Sequence, residues 1–157
     1  MLPSERKFKI HTLAFYNLEN LFDTINDVNK NDEASPIMEI KFNRSGIYKQ
    51  KIANMAKVIS EIGYDVTNRP PTIVGICEVE NRKVVEDLIS DEKLKNYNYG
   101  IVHYDSPDDR GIDVGLIFNK DVFKVKNSNS HDVFITGNNS SKRRNTRDQL
   151  VVSGLLD

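Results

Sequence analysis

Pro70-Pro71 blocks any helix from continuing, and the run that follows, Thr72 to Val79, is short, apolar and rich in β-branched side chains (Ile73, Val74, Ile76, Val79). The run ends in charge at Glu78, Glu80 and Arg82. A short run that is apolar at nearly every position, rather than at alternate ones, reads as a central strand buried on both faces. Such a strand needs partners beside it and helices over it, which restricts the chain to a layered α/β arrangement.

The flanking segments fit that requirement. Tyr48, Ile52, Met55, Ile59 and Ile62 recur at steps of three and four, predicting a core-packing helix over residues 45–62 with Gly63 as its left-handed cap. Asn81 is placed to cap a second helix over residues 82–90, with Val84, Val85, Leu88 and Ile89 facing inward. Residues 8–17 read as the first strand, alternating at Phe8 and Ile10 and then continuously apolar, and Asn17 closes it. Residues 24–43 lack periodicity and read as a long surface loop. The remainder reads as short strands over residues 99–104, 112–118, 122–126, 131–135 and 150–156. Turn chemistry separates them at 105–111, 119–121, 127–130 and 137–145.

Composition narrows the functional classes. With 22 Lys+Arg against 23 Asp+Glu, the 157-residue chain carries a formal charge of −1, which excludes a basic sleeve binding nucleic acid by bulk charge. A nucleic-acid or phosphate substrate held through a metal stays open. One cysteine excludes a disulfide framework within the chain and a Cys-rich zinc site. No apolar stretch is long enough to span a bilayer. The start has no signal-peptide run, so the expected localisation is cytoplasmic, in a reducing compartment, the alternative being a secreted protein whose leader has been removed. No Gly-rich phosphate loop follows the first strand, where Asn17-Leu18-Glu19-Asn20 stands, and this excludes a dinucleotide domain or nucleotide switch.

Two polar residues stand where apolar strands stop: Asn17 and Glu78. Ligands of layered α/β folds bind at the carboxyl ends of strands. A carboxylate and a carboxamide converging there offer hard oxygen donors suited to Mg²⁺ or Mn²⁺. The plainer alternative is that Glu78 solvates its strand end and Asn17 caps a turn. A second cluster, His103, Asp105, Asp108, Asp109, Arg110 and Asp113, crowds one loop where Gly111 permits a sharp turn. Asp113 interrupts an apolar strand and needs a partner, and Arg110 is the near candidate. That pair either fixes the loop or sets the guanidinium beside a phosphate. The basic tract Lys142-Arg143-Arg144, with Arg147, reads as a solvated loop or as a nucleic-acid backbone contact.

Three segments together carry a family resemblance. They are Phe15-Tyr16-Asn17-Leu18-Glu19-Asn20-Leu21-Phe22-Asp23, then Gly75-Ile76-Cys77-Glu78-Val79-Glu80-Asn81, then Asp109-Arg110-Gly111-Ile112-Asp113-Val114-Gly115-Leu116-Ile117-Phe118. Their order resembles the endonuclease/exonuclease/phosphatase superfamily, the deoxyribonuclease I-like metal-dependent phosphoesterases, and within it a bacterial branch. Thr146-Arg147-Asp148-Gln149-Leu150 is also similar to that branch. The resemblance covers nearly the whole chain. It implies that Asn17 and Glu78 form the metal side of the site, with Mg²⁺ or Mn²⁺ as cofactor. Arg110 and Asp113 complete the set of candidate catalytic residues.

The family's second-half machinery, a Gly-Asp-x-Asn segment and a late Asp-His pair, has no match here, and His131-Asp132 is reversed. The expected architecture is therefore half of a four-layer α/β sandwich, a mixed and largely antiparallel sheet with helices on one face. Residues 1–157 would be the amino-terminal half of the domain. Such a half leaves one sheet face uncovered and open to self-association. The intact parent would hydrolyse a phosphodiester or phosphomonoester, nucleic acid among the candidate substrates, and the chain alone would be inactive. The competing class is a non-catalytic metal- or phosphate-binding or interaction fragment. For an active chain, His103 is the one imaginable substitute base.

Overall fold

The computed structural model describes residues 8–27, 32, 35–133, 135–136 and 143–157. Strand β1 (Leu13–Leu21) leads through helix α1 (Arg44–Glu61) and a single turn, α2 (Tyr64–Thr67), to β2 (Ile73–Val79). Helix α3 (Arg82–Ile89) follows, then β3 (Tyr99–His103), β4 (Asp113–Asn119), β5 (Phe123–His131), β6 (Ile135–Thr136), β7 (Arg143–Arg144) and β8 (Gln149–Leu156). The main sheet has the order β1-β2-β4-β3. The β1–β2 pair is parallel, and the β2–β4 and β3–β4 pairs are antiparallel. This is the mixed, largely antiparallel α/β arrangement expected.

β2 sits between β1 and β4, with Val74, Ile76 and Val79 at 0–3% exposure. Helix α1 turns Ile52, Met55, Ala56 and Ile59 onto that face, and α3 adds Val84, Val85 and Leu88. Each of these side chains other than Ala56, fully buried, contributes about 1.5–3 kcal/mol of transfer free energy. Both helix ends follow their local signals. Gly63 leaves α1 at φ +66°, and the Asn81 side chain accepts a hydrogen bond from Val84 N at 3.0 Å to start α3. Among the described residues, no helix is long and apolar enough to cross a membrane.

The opposite sheet face is thinly covered. Phe15 is 90% exposed and Leu13 is 59% exposed. The Phe15 ring lies over Gly75, where a Cβ would stand 2.6 Å from Phe15 Cδ1. Between this face and β8 lies a cavity of about 780 Å³ lined by Phe15, Cys77, Leu116, Val133, Arg147 and Leu150, among others.

Several strand limits differ from expectation: the strand expected over 131–135 is split between the end of β5 at His131 and the start of β6 at Ile135, and β1 runs past Asn17 to Leu21. The first strand begins at Leu13, not Phe8, because the ladder opens at Leu13↔Ile73, where β2 itself begins. Phe8 (82% exposed) and Ile10 (57% exposed) alternate without a partner strand among the described residues. The Asn/Ser run at 127–130 is no turn: it continues β5 to His131 against β8, with one irregularity between Val125 and Asn127. Pairing partner, not composition, decides that segment.

Candidate functional site

The parallel neighbours β1 and β2 end together, and both break regularity there. Their register is continuous to Asn17↔Cys77 and resumes at Leu21↔Val79. On its other side β2 is irregular between Cys77 and Val79 against β4. Three non-glycine residues at this break have left-handed backbone: Glu19 (φ 48°), Asn20 (φ 57°) and Glu78 (φ 63°). Such conformations cost of order 1–3 kcal/mol each and persist where the surroundings impose them. Here they re-aim the Glu78 side chain at the strand end.

The Glu78 carboxylate is held from two sides. Oε2 accepts from Asn20 N at 3.2 Å, and Oε1 lies 3.3 Å from Arg147 Nη1. The Glu78 side chain is 14% exposed and that of Arg147 is 30% exposed, so the pair is partly desolvated but reachable. Asn17 Oδ1 accepts from Glu19 N at 2.7 Å, a local turn bond. Lys51 of α1 donates to the carbonyls of Glu19 (2.6 Å) and Asn20 (2.9 Å), pinning the turn that carries Asn17. Burial holds the Lys51 ammonium below its usual pKa, with Glu19 and Glu78 pulling it back up.

Behind the site lies Glu80, 1% exposed, which accepts from Asp23 N at 2.7 Å. Burial, opposed by that bond and reinforced by the Asp23 and Asp32 carboxylates, pushes Glu80 from 4.5 up to about 7. A carboxyl raised on folding makes the folded state hold the extra proton between those values. Stability from this group is therefore full below about pH 4.5 and falls as pH rises through 7. Urea unfolding at pH 5 and pH 7.5 should show the native chain losing stability, and Glu80→Gln should flatten that slope. Equal slopes in the two proteins would place the dependence on other groups.

Asp113 is 1% exposed and lies opposite Val79 in the β2–β4 ladder, one strand from Glu78. Its Oδ1 accepts from both Ser106 N and Ser106 Oγ at 2.7 Å, and its Oδ2 lies 3.2 Å from His103 Nε2. Arg110, expected beside it, is 56% exposed at its side chain and places Nε 3.5 Å from Asp108 Oδ1. Gly111 (φ 66°) closes this turn, and Arg110 N also donates to Asp108 Oδ1 at 2.9 Å. The geometry thus gives Asp113 to Ser106 and His103, and Arg110 to Asp108.

Of the basic tract, Lys142 lies outside the described residues and Arg143–Arg144 form β7. Arg147, which precedes β8, is the cation that reaches Glu78. In the sequence Arg147 lies within the segment 146–150, and no local signal marks it as part of the site. Only the pairing of β8 with β5 and the approach of its start to β2 bring it there.

The main sheet, its helices on one face and oxygen donors gathered at strand ends define an α/β protein with a polar site at the carboxyl edge. The family model described as Endonuclease/Exonuclease/phosphatase family matches residues 12–157, and the chain belongs to that family. Comparison with curated proteins returns no match. Among solved structures it is similar to the endonuclease/exonuclease/phosphatase from Bacteroides vulgatus, at 19% identity and a TM-score of 0.40. That similarity covers 76% of this chain and 34% of the other.

Proposed function

We propose that this chain carries the metal- and phosphate-binding edge of a divalent-metal-dependent phosphoester hydrolase. The observation that supports it most is Glu78, turned out of its strand and faced at 3.3 Å by Arg147, on a chain of a nuclease and phosphatase family. The donor set fits a hard cation. Among the described residues each Glu78 oxygen has one bond and Asn17 Oδ1 has one, while a carboxylate has about four acceptor sites. Glu78 and Asn17 would hold Mg²⁺ or Mn²⁺. When bound, the ion supplies charge neutralisation at the phosphoryl and leaving oxygens.

The chain's own groups account for the rest. Lys51 and the Glu19–Asn20 turn fix Asn17 and the backbone donor to Glu78. Arg147 keeps the Glu78 carboxylate placed and offers a planar fork to a phosphate oxygen. Arg110, on an exposed turn at the same sheet end, screens substrate charge from the rim, and Asp113 anchors that turn through Ser106. The substrate is a phosphodiester or phosphomonoester, nucleic acid included.

We further propose that in the working protein the face bearing Phe15 and Leu13 is covered by the rest of the domain. Left bare, it pairs with a second copy, and the 157-residue chain alone is inactive. Phosphodiesterase assays of the intact protein test the site. Arg147→Ala should lower turnover by roughly 10²-fold, Arg147→Lys should restore part of it, and Arg110→Ala should cut turnover while leaving the melting temperature in place. Full turnover in Arg147→Ala would remove the arginine from the reaction.

A further inference from the structure

β3 ends at His103 and β4 begins at Asp113, and the two antiparallel strands bring these side chains together away from bulk water, at 4% and 1% side-chain exposure. Ser106 takes Asp113 Oδ1 through both its backbone N–H and its hydroxyl. The other oxygen, Oδ2, turns to His103 Nε2 at 3.2 Å. Yet that approach is off-line for a hydrogen bond, and His103 Nε2 is a buried nitrogen without a hydrogen-bond partner among the described residues. A histidine–aspartate pair built to share a proton would align the two. Two ligands of one ion behave otherwise: with bonds of about 2.0–2.1 Å and angles between 90° and 110°, their atoms stand roughly 2.9–3.4 Å apart without pointing at each other.

A third donor completes the cluster. Asp105, on the loop between the strands, brings an oxygen so that one ligand atom from each of His103, Asp105 and Asp113 lies within 4.8 Å of the others. We propose that His103, Asp105 and Asp113 form a second metal site, for a divalent transition ion of the Zn²⁺ class, separate from Glu78. One imidazole nitrogen with two carboxylates is a borderline donor set that favours Zn²⁺, Co²⁺ or Mn²⁺ over Mg²⁺, which is held by oxygen and water. Asp105 sits on the exposed side, so water completes the coordination there. The ion ties the end of β3 to the start of β4 and fixes the 105–111 loop that carries Arg110.

Titration of the whole chain with Co²⁺, followed by its ligand-field absorption and displaced with Zn²⁺, tests this. One equivalent should bind with the spectrum of a mixed nitrogen–oxygen site, and Zn²⁺ should abolish it while Mg²⁺ in excess should not. Asp105→Asn, a substitution on an exposed loop, should weaken Co²⁺ at least about tenfold, and His103→Gln should remove the spectrum. Glu78→Gln should leave both spectrum and affinity unchanged, which separates this site from the phosphoester site. Absence of the Co²⁺ spectrum in the native chain overturns the proposal. So does a spectrum indifferent to Asp105→Asn, or one lost with Glu78→Gln.

Discussion

Glu78→Gln should lower metal-dependent phosphoester turnover of the intact protein by at least about 100-fold, while the substituted protein still folds. The expected size follows from what the carboxylate supplies. Charge stabilisation through a bound divalent ion is worth several kcal/mol at the transition state, and each 1.36 kcal/mol is a factor of ten. Glutamine retains the shape and one acceptor oxygen, so the Asn20 N–H keeps a partner and the left-handed backbone at residue 78 (φ 63°) faces no new clash. The charge opposite Arg147 is what disappears. Steady-state kinetics over a range of Mn²⁺ concentrations, with circular dichroism as the folding control, gives the answer. Turnover within a fewfold of native would remove Glu78 from the chemistry.

The second large effect concerns the thinly covered sheet face. Phe15→Lys should convert a self-associated 157-residue chain into a monomer, read by sedimentation velocity. The ring is 90% exposed and rests on Gly75, with Leu13 (59% exposed) on the same face of β1. Burying one such side chain contributes about 1.5–3 kcal/mol. In a two-fold pairing the residue counts once from each copy, so its loss should raise the dissociation constant by roughly 10²-fold or more. The substitution removes no contact of the helix-covered core around Val74, Ile76 and Ile117, so the cooperative unfolding transition should remain. A native chain that sediments as a monomer at high concentration would refute the pairing.

Local chemistry made the centre of the fold legible. Pro70-Pro71, the β-branched run behind it and Asn81 mark β2 and α3 to within a residue, because turn, strand and cap are each specified by neighbours in the chain. The three- and four-residue spacing of Ile52, Met55 and Ile59 does the same for α1. Strand limits set by a distant partner were not legible. Phe8 and Ile10 alternate like a strand yet lie outside the ladder, and Asn127 and Ser128 look like a turn yet pair with Ser153 and Val152. The site divides along the same line. Glu78 and Asn17 stand out because each ends an apolar run, whereas Arg147 reaches Glu78 across 69 residues. Arg110 and Asp113, close in sequence, were expected to pair, but Asp113 meets His103 across the β3–β4 ladder, and strand pairing places its neighbours.

In the proposed site, Glu78 and Asn17 would present oxygen donors to a divalent ion at the end of β1 and β2. Calorimetric titration of the intact protein with Mn²⁺, carried out in parallel on Glu78→Gln and with the His103 site blocked by His103→Gln, tests it most directly. Saturable Mn²⁺ binding should survive His103→Gln and should be lost or weakened at least about tenfold by Glu78→Gln. Identical isotherms for native and Glu78→Gln would contradict it.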